Sequence, residues 1–301
     1  MAGLRDVLAR VTQAFILLED GKPVADMCGD LVVPWWSFGK TLIAATALRL
    51  VEQGRLSLDD QREGHRLGDL LRHEAGLRDY GWVDTYHRDV ARGATPWGRE
   101  EMLDRAKAEQ PLFVAGQGWS YSNIGYMYAR ERIEQAHGGD LGQAARDLVF
   151  APLGVEDSRL ATAASDLDKV EMGAARGYDP RWVYHGLFVG PLRSAAVLLD
   201  GLLGARSPLS EVSRALMAAR RQLPEHNRPP WSGAAYGLGL MCPTTPEGWI
   251  AAGHTGGGPG SVVAVYRRMD GPKRTAAAFS LGEDQTPVEA LTVRLLQTGA
   301  P

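Results

Sequence analysis

The stretch PWWSFGKTLIAAT, residues 34–46, sets two tryptophans, a serine and a lysine at the mouth of an apolar helix. Ser37 and Lys40 stand three residues apart, so on a helix both side chains emerge on one face. A lysine at that spacing can contact the serine oxygen and help remove its proton, and the positive end of the helix favours the developing anion. The pair also fits a plainer role, because serine is a favoured N-cap. Two features favour chemistry. No other serine in the chain has lysine three residues on. A lysine early in an otherwise apolar helix is expected to be buried, which lowers its pKa toward useful base strength. The expectation is a nucleophile that also caps its helix.

Two further stretches can serve that serine. In GWSYSNIGYMY, residues 118–128, Tyr121 beside a cationic lysine can be held partly as phenolate and act as general base. Asn123 supplies an amide for a substrate carbonyl or for the lysine. The same residues also fit a Ser/Asn cap with Tyr121 in a wall. In AAGHTGGGPGSVVAVY, residues 251–266, four of the six residues from Gly253 to Gly258 are glycine. Such a run lets backbone approach a ligand, and its N–H groups can hold an oxyanion. A loop at a strand edge over the site fits best, against a plain hairpin loop. The phosphate-loop pattern is absent, and Trp35 occupies the first glycine's place of a G-x-S-x-G elbow.

The chain has 301 residues, 45% of them hydrophobic, enough for a substantial core in one or two domains. Its formal charge is −3, with 33 basic and 36 acidic residues dispersed, and no basic stripe marks a nucleic-acid surface. No apolar run approaches the ~18 residues that span a bilayer. Charges interrupt MAGLRDVLARVTQAFILLED unlike a signal peptide, so a cytoplasmic protein with no membrane partner is expected. Cys28 and Cys242 form no disulfide framework, and His73-Glu74 lacks the second histidine of a zinc motif. No metal and no cofactor are expected.

Leu4, Val7, Leu8 and Val11 follow helical spacing, and AFILLED and VADMCGDL read as two strands joined at Gly21-Lys22-Pro23. From about 55 to 225 the signals are mostly helical. After Pro230, AAYGLGLMC, GWIAAGH, SVVAVYRR and RTAAAFSLG read as strands, and PVEALTVRLLQTG as a closing helix. The expectation is an α/β (α+β) fold with one antiparallel sheet from both termini. Residues 1–54 with 226–301 form the α/β part, 55–225 the inserted helical part, and the site lies in the cleft between them.

Ser37–Lys40, Tyr121–Asn123 and His254–Gly256, in that order, resemble the S-x-x-K, Y-x-N and K-T-G triplets of the serine β-lactamase and penicillin-binding protein superfamily. The Y-S-N form looks like its class C β-lactamase branch, which includes D,D-peptidases, D-aminopeptidases and esterases. LVEQGRLSLDD, LLRHEAGLRDY and APLGVEDS carry the likeness over nearly the whole chain. The resemblance implies a β-lactamase/transpeptidase-like fold with Ser37 acylated and Lys40 and Tyr121 handling its proton. It implies substrate binding by Asn123, His254, Thr255 and Gly256, and an oxyanion hole from the N–H groups of Ser37 and Gly257.

His254 stands where relatives usually carry lysine, and a histidine is mostly neutral at pH 7. The expectation is therefore a serine hydrolase of small esters or amides. A β-lactamase or D,D-carboxypeptidase, an acyltransferase, and a non-catalytic binder or sensor are the alternatives. Trp35, Trp36, Trp82, Trp97, Trp119 and Trp231 are candidate cleft residues, and Asp79 and Tyr80 read as structural.

Overall fold

The computed structural model describes residues 13–175 and 177–301. The helix expected from Leu4 to Val11 lies outside the described residues. Strands β1 (Gln13–Glu19) and β2 (Lys22–Met27) form a hairpin whose turn residues Asp20 and Gly21 have φ of 49° and 76°. Positive φ at both central residues matches the twist of a two-residue hairpin. Strands β3 (Ala251–Gly258), β4 (Ser261–Arg268) and β5 (Arg274–Leu281) complete an antiparallel sheet of order β3-β4-β5-β1-β2. One sheet is thus built from both ends of the described chain.

Four helices position the site: α1 (Gly39–Glu52), α2 (Asn123–His137), α3 (Leu192–Leu203) and α4 (Thr286–Thr298). Helices α3 and α4 cover opposite faces of the sheet, and the apolar run in β1 reflects burial on both of them. Ala14, Ile16 and Leu18 share a core with Leu192, Ala195, Ala196 and Leu199 of α3. Phe15 and Leu17 join Val288, Leu291 and Leu295 of α4. Although α3 falls within the segment expected to be helical and separate, it packs on β5 and β1.

Helix α1 is apolar almost all round and correspondingly buried, with Leu42, Ile43, Leu48 and Leu50 fully enclosed. Each such side chain contributes about 1.5–3 kcal/mol. Gly54, at φ 68°, follows the helix end. Helix α1 packs against α2, and the turn Trp36–Phe38 just before it packs against β3.

The sequence between 55 and 225 also holds short strands, Arg159–Ala161 and Leu187–Pro191, and Leu187–Pro191 pairs with Arg159–Ala161 on one side and Val32–Pro34 on the other in a second sheet. Within AAYGLGLMC only Ala235–Tyr236 forms a strand, and Met241 makes an isolated antiparallel bridge to Gly253 of β3. No helix among the described residues is long and apolar enough to cross a membrane.

Candidate active site

Ser37 lies in the tight turn Trp36–Phe38, and Phe38 rather than Ser37 occupies the N-cap position of α1. The expected capping role is therefore not taken up: among the described residues no N-cap side chain bonds this helix. Ser37 Oγ instead accepts hydrogen bonds from Tyr121 OH at 2.8 Å and Lys40 Nζ at 3.1 Å. Trp36 is held at φ 41°, a strained value for a bulky residue. Its indole donates to Ser261 Oγ at 3.1 Å and meets Tyr178 edge-on, and both contacts hold the turn.

Lys40 is fully buried one helical turn on. Its Nζ also donates to Asn123 Oδ1 at 2.6 Å and meets His185 Nε2 at 3.2 Å. Burial lowers its pKa to about 7, against the opposing pull of the Asp79 carboxylate. An amine with that pKa exchanges protons freely at neutral pH. Tyr121 behaves differently from the phenolate expectation. Burial raises its pKa above the ordinary 10, so it is a neutral phenol that donates to Ser37.

Asn123 opens α2, where Ser122 is the N-cap and accepts from Gly125 N at 3.2 Å. The Asn123 backbone N–H and its Nδ2 each donate to Asp79, both at 3.0 Å. This fixes the amide so that Oδ1 faces Lys40. Asp79 is buried, and burial raises its pKa while the Asn123 amide and Lys40 pull it back.

Strand β3 continues through the glycines that were expected to form a loop, ending only at Gly258. A Cβ on Gly256 would lie 2.6 Å from Ser37 N, and one on Gly258 2.5 Å from the Trp36 ring. Glycine is needed here because the Trp36–Phe38 turn presses on the strand. Gly257, next along, lines the cleft with Ser37. His254 does not reach the cleft wall. Its Nδ1 contacts Thr255 O at 2.7 Å and its Nε2 Tyr236 OH at 3.1 Å, and burial lowers its pKa to about 3. Thr255 points to the other face, donating to the buried Glu289 at 2.6 Å beside Tyr266 OH at 2.8 Å.

The cleft has a volume of about 1270 Å³ and is lined by residues from widely separated stretches of the chain, including Ser37, Asn123, His185 and Gly257. Trp36 lines it with Tyr80, Tyr86, Tyr178 and Trp182. Of the other tryptophans considered, Trp35 is core, Trp97 packs on Trp182, and Trp119 and Trp231 line a smaller second cavity. Trp82 is exposed and lies outside both cavities.

Two residues at the centre are not marked as functional by the sequence reading. Asp79 reads as structural yet had a usable signal, since a buried lysine calls for a nearby carboxylate. His185, in YHGLFVG, carried none beyond being a polar residue ahead of an apolar strand.

A family description named Beta-lactamase matches residues 4–294. The chain is 25% identical over 288 residues to penicillin-binding protein 4* of Bacillus subtilis (strain 168), covering 84% of this chain and 61% of that protein. It is 28% identical over 180 residues to esterase EstB of Burkholderia gladioli, covering 52% and 45% respectively. The chain thus spans less than two thirds of either relative. Its fold is similar to that of D-amino acid amidase from Ochrobactrum anthropi SV3, with TM-score 0.79 and 21% identity over 98% of each chain.

Proposed function

The chain belongs to the beta-lactamase family, and from that premise we propose that it is a serine hydrolase working through an acyl-serine intermediate on small esters or amides. The observation that carries this reading is the buried Lys40, with pKa about 7, in contact with a Ser37 Oγ that also accepts from Tyr121. Neutral Lys40 takes the Ser37 proton as Oγ bonds to the acyl carbon. Tyr121 gives its phenol proton to the leaving group as the old acyl bond breaks, and the Lys40 ammonium returns a proton to the phenolate. Water then attacks the acyl-serine, and the same groups carry its protons in reverse. The N–H groups of Ser37 and Gly257 are the proposed oxyanion donors. Asn123 retains a second Nδ2–H for a substrate carbonyl.

The neutral, internally bonded His254 supports esters and amides over substrates recognised by a carboxylate. In the test, an active-site-directed phosphonate labels Ser37, and Ser37→Ala abolishes turnover of a p-nitrophenyl ester. A panel of esters, D-amino-acid amides and a chromogenic cephalosporin then sets the preference. Retained activity in Ser37→Ala sinks the reading, and a cephalosporin turned over faster than every ester or amide overturns the preference.

A further inference from the structure

Three neighbours surround Lys40 Nζ: Ser37 Oγ, Asn123 Oδ1 and His185 Nε2. The mechanism above uses the first, and Asp79 explains the orientation of the second. His185 is buried between the turn Pro180–Trp182 and the strand Leu187–Pro191, and it lines the cleft. Its Nδ1 is buried with no hydrogen-bond partner among the described residues, so the Lys40 contact decides the tautomer. An ammonium can only donate. Against charged Lys40, Nε2 therefore accepts and the imidazole proton resides on Nδ1.

The hydrogen count then becomes decisive. Neutral Lys40 has two N–H groups and one lone pair. Asn123 Oδ1 can only accept, which uses one N–H. If His185 Nε2 takes the other, the lone pair is left facing Ser37. We infer that His185 is a positioning residue for acyl transfer, accepting a Lys40 N–H so that the amine lone pair is aimed at the Ser37 hydroxyl. The Ser37 proton moves to Nζ as Oγ bonds to the acyl carbon, and His185 keeps its own proton throughout. Asp79, Arg130, Tyr121, Tyr126, His73 and His254 also face this region. Tyr121 and Tyr126 offer Nζ ring faces at 4.9 and 5.5 Å, not acceptors in line with an N–H.

This inference rests on the acyl-serine reading, so its test carries Ser37→Ala alongside. His185→Leu keeps volume without an acceptor, and His185→Gln restores a carbonyl oxygen. Loss of one hydrogen bond to a charged group predicts about a 10–100-fold fall in kcat for His185→Leu, with KM little changed. The acid limb of its pH–rate profile moves to lower pH, because the ammonium has lost an acceptor. His185→Gln recovers most of the rate. Phosphonate labelling of Ser37 reads the same proton transfer without turnover, and thermal melting checks the fold. His185→Met replaces the leucine variant if that one does not fold. A folded apolar variant with wild-type kcat and pH profile overturns the role, as does a glutamine variant equally slow. Activity in Ser37→Ala instead removes the parent reading.

Discussion

Lys40→Met tests the ionisation on which the chemistry depends. Methionine fills a similar volume without charge. Burial lowers the Lys40 pKa from 10.5 to about 7. At about 1.4 kcal/mol per pH unit, the charged form is disfavoured in the native state by about 5 kcal/mol. Between pH 7 and 10.5 the unfolded chain binds this proton and the native protein does not, so stability rises with pH. The contribution is full above 10.5 and is lost progressively as pH falls from 10.5 to 7. Urea unfolding at pH 7, 8 and 9 should therefore show wild type gaining about 2–3 kcal/mol relative to Lys40→Met. Stopping at pH 9 keeps tyrosine ionisation in the unfolded chain small. A Lys40→Met/Asp79→Asn variant, measured in parallel, removes the carboxylate that would otherwise be buried without its cation. A difference that stays flat from pH 7 to 9 in both comparisons refutes the depressed pKa and with it the base assignment.

In wild type, kcat/KM for a p-nitrophenyl ester should rise along an acid limb centred near pH 7, measured as a pH–rate profile. Asp79→Asn removes the charge that supports the Lys40 ammonium and one of the two acceptor oxygens that orient Asn123. The limb should move to lower pH while kcat falls about 10–100-fold. Gly256→Ala drives a Cβ into Ser37 N and Trp36, so Ser37 labelling should slow by about 100-fold or more, with stability lower by about 1–3 kcal/mol. Thr255→Val leaves Glu289 without its hydroxyl donor, so urea unfolding should show a loss of about 1–3 kcal/mol. Its kcat/KM should change much less, because that hydroxyl faces away from the cleft.

The terminal strands were legible because β1, β4 and β5 are buried on both faces and read as dense apolar runs. Helix α3 was legible as a helix, but its partner was not: the apolar stripe from Leu192 to Leu203 fits a sheet or another helix equally well. The glycines of β3 misled for a physical reason. Glycine is permissive in loops, yet here it is required in a strand by the close approach of Trp36 and Ser37. Local sequence carries no record of that neighbour.

The same limit separates the residues of the site from their charge states. Spacing placed Ser37 and Lys40 on one side of a turn, and the structure brings Tyr121 and Asn123 to them across 84 and 83 positions of chain. Spacing could not decide which partner holds the proton. The phenolate expectation for Tyr121 assumed that a nearby cation dominates; burial dominates instead and raises the phenol. Burial acts in the opposite sense on Lys40, because it always penalises the charged form, and an amine is charged when protonated. One enclosed environment thus leaves a neutral acid and a weakly basic amine on the same serine oxygen. That division of roles follows from tertiary burial, and it is what the Lys40→Met pH series measures.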